Sequence, residues 1–337
     1  MKKFFSLLLL AAALTVSCEK QQESNQPLPK GKAVEFRAMT SSINTKTEYS
    51  GGVVGGKEAI KWVNLDRFTV WCNEVQSPEQ KYATYKVNVS GSTQSIVPNN
   101  PEVQLMWGEG THTFYAAYPA ENLYDNVLSA SISDSQRPSN SGARVFKPQL
   151  STYGFMVATA QATPADGTVN LNFKPMFSNI EFTVGPGSST DVTVTGFSLK
   201  AEDASTPLAG DFTITMAAGS EPQVTVGSNT SNEITVNIGT VTIPKNETMT
   251  IPVLAIPTAL TGLTAIFTIQ KGEGAEAVTE ELALPLKKND AFITFAAGKK
   301  SRINAPAILG PEATEAGITA VINSQDVDDY TIDVPQP

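Results

Sequence analysis

The chain has 337 residues, of which 41% are hydrophobic and 17% are charged, and its formal net charge is -9. This hydrophobic fraction excludes a chain that is disordered throughout, and the length suits two ordinary domains or one large β domain. The acidic balance and the lack of a basic stripe make nucleic acid a poor partner, because a phosphate backbone attracts clustered lysine and arginine.

Residues 1–17 have the pattern of an export signal. Lys2 and Lys3 precede a short apolar run, and small residues then lead to Cys18. A cysteine at the cleavage point is typical of a lipoprotein signal, although Thr15 stands where a leucine is usual. The sequence therefore predicts that Cys18 becomes the mature N-terminus and carries fatty acyl chains such as palmitate, which attach the protein to a membrane. The alternative is an ordinary secretory signal with an incidental cysteine.

The polar segment at residues 18–32 follows the signal and contains Pro27 and Pro29. It lacks the apolar residues of a core, which predicts a tether between the lipid and the folded body. An alternating run at residues 33–39 then begins the body as a half-buried strand. The small polar residues after this run, among them Lys46, predict an exposed loop.

Strand-like runs separated by turn residues continue along the body. The runs before residue 120 lie at residues 68–70, 83–89, 103–107 and 111–118. Many short alternating runs at such spacing indicate antiparallel sandwiches. The spacing of these runs changes at residue 168, after which they lie closer together. The sequence therefore predicts an all-β chain with an N-terminal β-sandwich at residues 33–168 and a C-terminal β-sandwich at residues 169–337.

Residues that carry catalysis or bind metals are scarce in the sequence. His112 is the only histidine, and its alternation with threonines predicts a hydrogen-bonded strand residue rather than a base or ligand. Cys72 lies between apolar residues and is predicted to be buried and inert. The glycines of residues 49–59 do not fit a phosphate-binding loop, and residues 324–331 lack the glycine and closing glutamate of a calcium loop. The sequence therefore predicts no catalytic residue, no metal, no cofactor and no enzyme.

Three tryptophans, Trp62, Trp71 and Trp107, lie in strand-like apolar runs. Buried tryptophans commonly anchor a core, whereas exposed ones form flat surfaces on which sugar rings stack. We interpret all three as core anchors first, with a sugar-stacking platform as the alternative.

Several landmarks then follow one another in a fixed order. They are Trp62, Asp66, Phe68 and Val70 in an early strand, the Tyr118-Pro119 pair that closes a later strand, and the Phe173-Lys174 pair at the start of the second half. Their order resembles the fimbrillin family, the type V pilins of Gram-negative anaerobes. Pro175 departs from the family pattern, which has a histidine near this point.

The resemblance implies two tandem transthyretin-like β-sandwiches exported as an outer-membrane lipoprotein. It further implies that a trypsin-like protease cuts beyond the first strand, so that the strand leaves and uncovers an apolar groove. The C-terminal strand of a neighbouring pilin subunit then fills the groove, and the subunits grow into adhesive cell-surface fimbriae. A host receptor or a glycan is the partner expected of the finished fimbria.

The resemblance assigns roles to particular residues of this chain. Val34, Phe36 and Ala38 form the inward face of the removable strand. Residues 318–337 contain the candidate donor strand, with two alternating sets, Ile318, Ala320 and Ile322, followed by Tyr330, Ile332 and Val334. Both sets equally suit ordinary last strands of the second sandwich.

The cleavage point has two candidates. The family usually presents an arginine, but the nearest one, Arg37, lies within the first strand. Lys46 lies in the polar loop, which suits a protease that needs an extended and exposed substrate. If cleavage fails, the chain is instead a fimbrial anchor or a non-polymerising surface lipoprotein that binds glycans. A secreted hydrolase is a third alternative, which the single histidine disfavours.

Overall fold

The computed structural model describes residues 31–38, 48–54, 57–90, 93–120, 122–142, 144–187, 189–271, 277–288, 290–296, 298–309 and 327–333. The described residues from Lys32 onward belong to one compact unit. Strands dominate the described part of this unit, in which the one short helix is α1 (Leu150–Tyr153). The all-β prediction is therefore confirmed. None of the described helical residues forms a segment long and apolar enough to cross a membrane.

Strands and tight turns alternate along the whole described chain. The strands of the first half are β1 (Glu35–Arg37), β2 (Glu48–Val54), β3 (Lys57–Lys61), β4 (Arg67–Trp71), β5 (Tyr82–Ser90), β6 (Thr93–Pro98), β7 (His112–Tyr118), β8 (Leu123–Tyr124), β9 (Val127–Ile132), β10 (Ser135–Gln136), β11 (Ser139–Asn140), β12 (Phe146–Lys147), β13 (Met156–Ala162) and β14 (Thr168–Asn170). Those of the second half are β15 (Lys174–Pro175), β16 (Ser178–Pro186), β17 (Val192–Ala201), β18 (Ala209–Thr215), β19 (Gln223–Ser231), β20 (Glu233–Val236), β21 (Val241–Ile243), β22 (Met249–Ala255), β23 (Leu263–Lys271), β24 (Val278–Pro285), β25 (Lys287–Lys288), β26 (Ala291–Phe292), β27 (Lys299–Leu309) and β28 (Val327–Asp333).

Four larger sheets and three two-stranded pairs organise the described strands. Sheet I has the order β15-β13-β7-β4-β5-β6, and sheet II has the order β2-β3-β28-β27-β16-β22. Sheet III is β10-β20-β17-β23-β24 with β21 also on β17, and sheet IV is β19-β18-β9-β8. The pairs are β1–β14, β11–β12 and β25–β26. Most neighbours are antiparallel, whereas β1–β14, β10–β20, β16–β27 and β3–β28 are parallel and join strands that lie far apart in the sequence.

Sheet I has a core face and an outward face. In β5 the side chains of Ala83, Tyr85 and Val87 are buried, whereas Tyr82 is exposed and Lys86 is half-buried. Successive residues of a strand point to opposite faces, so this alternation assigns each side chain to one face. The core face of sheet I therefore needs a cover, and the pair β1–β14 contributes to it.

The strand predicted at residues 103–107 does not form as a regular strand. Instead, the backbone N–H of Val34 donates to the Leu105 carbonyl (2.9 Å), and that of Trp107 donates to the Lys32 carbonyl (3.0 Å). Within the described residues, the segment forms one isolated bridge, between Met106 and Ala33, rather than a ladder. The prediction of a strand here was wrong because alternation does not supply a partner.

Several ladders join strands from opposite sides of residue 168. β13 pairs with β15, β9 with β18, β10 with β20 and β3 with β28. Each of these ladders places residues of both halves in one sheet. The domain boundary near residue 168 stays a prediction.

A buried ionic cluster links β16 and β27 within sheet II. The Glu181 carboxylate lies 3.0 Å from the Lys300 ammonium and 2.9 Å from Nε of Arg302. Only 3% of the Lys300 side chain is exposed. The parallel register places Glu181 opposite Arg302, so one carboxylate serves both cations. Removal of one partner from a poorly solvated ionic group is costly because the remaining charges lose part of their compensation.

Glu181→Gln is expected to destabilise the protein because it removes a negative charge that both cations contact. We expect the free energy of unfolding to fall by about 3 kcal/mol in urea titrations. Glu233→Gln is the matched control, since Glu233 pairs with Lys200 at 3.6 Å on an exposed surface. Loss of an exposed pair changes stability by about 1 kcal/mol or less. Equal effects of the two substitutions would contradict the assigned role of Glu181.

Candidate functional site: the groove beneath the first strand

The first strand carries the predicted alternation of inward and outward side chains. Val34, Phe36 and Ala38 are 4%, 6% and 4% exposed, whereas Glu35 and Arg37 are exposed. The three apolar side chains belong to the same hydrophobic core as sheet I. The three inward side chains therefore cover part of the core face of sheet I, and we call the surface beneath them the groove. Removal of the strand stays a prediction.

Backbone hydrogen bonds hold the first strand on two edges. On one edge β1 lies parallel to β14 along its whole length, with Phe36 opposite Val169, and the Leu171 N–H donates to the Arg37 carbonyl (2.9 Å). On the other edge the bonds described above join residues 32 and 34 to Trp107 and Leu105. A strand this short has few ladder bonds, so the side chains contribute much of its attachment.

Aromatic rings form the floor of the groove. The Phe36 ring meets the Tyr85 ring edge-on, with centroids 4.8 Å apart, and the Phe114 ring with centroids 5.5 Å apart. The Tyr85 hydroxyl accepts a hydrogen bond from the Leu105 N–H (3.0 Å). Burial raises the pKa of the Tyr85 phenol, and the bond from Leu105 opposes this shift. Without β1, the groove would present aromatic surface bordered by backbone groups ready to pair with another strand.

The sequence landmarks meet in one cluster next to this groove. The Trp62 ring lies edge-on to Tyr118, with centroids 5.1 Å apart, and to Phe173, with centroids 5.0 Å apart. Asp66 accepts hydrogen bonds from the Val63 N–H (2.7 Å) and from the Tyr118 hydroxyl (3.2 Å). These residues therefore hold distant segments of the fold together, and we assign them no catalytic role. Their convergence depends on tertiary packing that the sequence alone did not show.

Arg37 is poorly placed as a cleavage point in the folded protein. Its side chain is exposed, but its carbonyl is bonded to Leu171 and the next residue, Ala38, is buried. A protease binds its substrate as an extended strand in its own cleft, so this peptide bond would first have to leave the groove. Lys46 and the lipidation candidate Cys18 lie outside the described residues.

The donor candidates are only partly described. Tyr330 and Ile332 lie in β28, which pairs antiparallel with β27 and parallel with β3. This strand is thus an internal strand of sheet II in its own chain. Outside the described residues lie the candidates Ile318, Ala320, Ile322 and Val334.

The comparisons with known proteins agree with these landmarks. A family model described as fimbrillin-like matches residues 53–324. The chain belongs to the fimbrillin-like family. A search of curated proteins gave no significant match.

Two solved structures share the fold of this fimbrillin-like protein. A candidate cell adhesion protein from Bacteroides ovatus is 16% identical with a TM-score of 0.52, and the match covers 90% of this chain and 99% of that one. A candidate cell adhesion protein from Bacteroides uniformis is also 16% identical with a TM-score of 0.50, and the match covers 83% of this chain and 93% of that one. At such low identity the likeness concerns the fold alone.

His112 of this fimbrillin-like protein is a structural residue. Its Nε2 accepts a hydrogen bond from the Gly108 N–H (2.9 Å), and its Nδ1 donates to the Gly110 carbonyl (3.1 Å). The side chain is fully buried against Trp107, with ring centroids 5.0 Å apart. The prediction of a hydrogen-bonded strand histidine is confirmed.

Cys72 is an inert thiol in the folded protein. It is fully buried, and its Sγ donates to the Glu74 carboxylate (3.2 Å). Burial, together with the nearby Glu74 carboxylate, raises the pKa of this thiol to about 12, so it stays protonated at neutral pH. Within the described ranges, no group of histidine, cysteine, aspartate or glutamate is arranged to hold a metal ion.

Phe36→Ala is expected to loosen the first strand. Truncation of a buried phenylalanine costs about 3–5 kcal/mol of unfolding free energy, and part of that loss falls on the attachment of β1. Hydrogen exchange of the amides of β1 and β14 should therefore accelerate more than that of sheet III. Glu35→Gln is the matched control, because its side chain points outward on the same strand. Equal acceleration in all sheets would contradict a locally anchored strand.

Proposed function

We propose that this protein is a subunit of cell-surface fimbriae whose first strand is a temporary plug. The observation that carries the proposal is the attachment of β1, since three buried side chains fill an aromatic groove while the backbone is held by one three-residue ladder with β14 and by a few bonds near its ends. Loss of such a strand uncovers apolar surface and unpaired backbone groups together. A strand from a neighbouring subunit can restore both.

Membership in the fimbrillin-like family supports association with other fimbrial subunits. A donated strand supplies ladder hydrogen bonds, and its alternate side chains fill the vacated core positions. The contact is head-to-tail rather than symmetric, so repetition produces a filament instead of a closed dimer. The two structural neighbours described as candidate cell adhesion proteins favour an adhesive role for the filament.

We further propose that cleavage follows Lys46 and that Cys18 carries the lipid of an outer-membrane precursor. Lys46 is supported because the other candidate, the peptide bond after Arg37, lies within a hydrogen-bonded strand and is protected from proteases. Cleavage after Lys46 leaves β2 and all later strands in the mature subunit. The maturation enzyme would be a protease of trypsin-like specificity.

For the donor we favour residues 318–322 over residues 330–334. β28 is paired on both edges in its own chain, so its donation would break two ladders of sheet II. Ile318, Ala320 and Ile322 alternate as a donor strand requires.

Controlled proteolysis tests this assembly route. Trypsin treatment of the chain that begins at Cys18 should yield a new N-terminus at Thr47. The cut subunits should then form ladders in gels run without boiling. Lys46→Gln should stop both, whereas Arg37→Gln should leave them unchanged. Clean cleavage after Lys46 with monomers only would contradict the strand-exchange proposal.

Substitutions in the C-terminal segment test the donor. Ile318→Asp combined with Ile322→Asp should abolish the ladders without lowering the melting temperature of the uncut monomer. Ile332→Asp is the comparison, since we expect a change in β28 to destabilise the monomer first. Ladders that survive the double substitution would exclude residues 318–322 as the donor.

A non-polymerising fimbrial anchor is the second candidate. It is favoured by the same two facts that make exchange costly, namely the depth of Phe36 and the internal position of β28. N-terminal analysis of the native protein extracted from the cell surface separates the two. An acylated Cys18 on an uncut chain indicates an anchor, and a start at Thr47 indicates a filament subunit.

A further inference from the structure

Three aromatic residues lie side by side on the outward face of sheet I. Trp71 in β4 is directly opposite Tyr82 in β5 and opposite Tyr115 in β7. Residues that are opposite each other in a ladder share a face, so the three side chains form a row across three strands. The Trp71 and Tyr82 rings are nearly parallel, at 8°, with centroids 5.6 Å apart.

A fourth ring rises above this row from the β8–β9 hairpin. The Tyr124 ring lies 4.9 Å from the Trp71 ring, centroid to centroid, and is tilted by 54°. Tyr124 is 75% exposed and Tyr82 is 52% exposed. Because the Tyr82 and Tyr124 rings are so exposed, they contribute little to the hydrophobic core. They form the walls of an open pocket of about 360 Å³, which lies within the size range of small-ligand sites.

Polar groups fix the pocket and line its rim. The Trp71 indole Nε1–H donates to the Asn73 side-chain oxygen (3.2 Å), and the Asn73 amide donates to an Asp125 carboxylate oxygen (2.7 Å). Asp125 has a left-handed backbone conformation, with φ of 54°, at the tip of the hairpin. Glu79 and Lys81 add one charge of each sign to the lining. The chain of hydrogen bonds orients the indole and the carboxylate before any ligand arrives, which lowers the entropy cost of binding.

We propose that this pocket binds a neutral carbohydrate. A sugar ring has faces of C–H groups that pack on aromatic rings and an edge of hydroxyls that bond to carboxylates and amides. A purely apolar ligand would leave the polar rim without partners, which opposes its binding. Asp125 and Glu79 outnumber Lys81 among the lining charges, so sialylated or sulfated sugars are disfavoured.

The carbohydrate pocket is separate from the groove of the first strand. Tyr85 and Phe114, which hold Phe36, lie on the core face of sheet I, whereas Tyr82 and Trp71 lie on the outward face. Loss or exchange of β1 therefore leaves the pocket walls in place. Sugar binding and strand exchange are expected to fail independently of each other.

The test begins with binding of the chain that starts at Cys18, without trypsin treatment, to an array of neutral, sialylated and sulfated glycans. We expect saturable binding to at least one neutral glycan. That glycan is then titrated into ¹⁵N-labelled protein while the Trp71 indole signal, assigned from the Trp71→Phe spectrum, is followed. The Trp71 signal should shift, whereas those of the buried Trp62 and Trp107 should not.

Two substitutions and their controls complete the test. Tyr124→Ala should weaken binding about tenfold because it removes one stacking wall, and Tyr124→Phe should retain most of the affinity. Asp125→Asn should weaken binding several-fold, since asparagine keeps the left-handed turn but removes the charged acceptor. Asp290→Asn is the matched control, because Asp290 is exposed and has φ of 61° in a different turn.

Four results would overturn the proposal. The first two are no binding to any neutral glycan on the array and binding confined to acidic glycans. The third is an affinity that Tyr124→Ala leaves unchanged. The fourth is that Tyr124→Ala alters self-association although the protein binds no glycan. The last result would assign the aromatic row to contacts between copies of the chain. None of these results depends on whether trypsin produces ladders.

Discussion

The packing of Phe36 between Tyr85 and Phe114 is the contact on which the cover of sheet I depends. A sheet with one apolar face has to cover that face, and here the cover includes a strand that comes from the start of the body. The strand buries three apolar side chains but has only a three-residue ladder with β14. In the proposed exchange, the same side chains would therefore determine both the stability of the uncut chain and the cost of losing the strand.

The landmark residues of this chain form a packed cluster that joins separate parts of the fold. Asp66 ties the turn after Trp62 to the end of β7 through Tyr118, and Phe173 brings the start of the second half into the same cluster. A buried aromatic cluster of this kind tolerates little change in volume. Packing thus accounts for the positions of these residues in this chain.

Our two proposals assign different tasks to the two faces of sheet I. Its core face holds the first strand, and its outward face carries the aromatic row beneath Tyr124. Because side chains alternate along each strand, one set of backbone positions can serve assembly while the next set serves recognition. A fimbrial subunit built in this way would keep its binding surface unchanged while its neighbours are exchanged.

The sequence by itself determined which residues of a strand point inward. The alternation of residues 33–39 predicted the buried set Val34, Phe36 and Ala38, and all three side chains are buried. The contexts of Trp62, Trp71 and Trp107 predicted buried positions, and these side chains are 1%, 8% and 5% exposed. It also determined the all-β class and the structural role of His112. These features follow from local periodicity, which every strand carries in its own residues.

Only the tertiary structure decided which strands are neighbours. It placed β1 beside β14, replaced the strand expected at residues 103–107 by an irregular border, and inserted β28 between β27 and β3. The aromatic row likewise exists only because the ladder register sets Tyr82, Trp71 and Tyr115 opposite one another. Pairing and register depend on contacts between residues far apart in the chain, and a local pattern does not encode them.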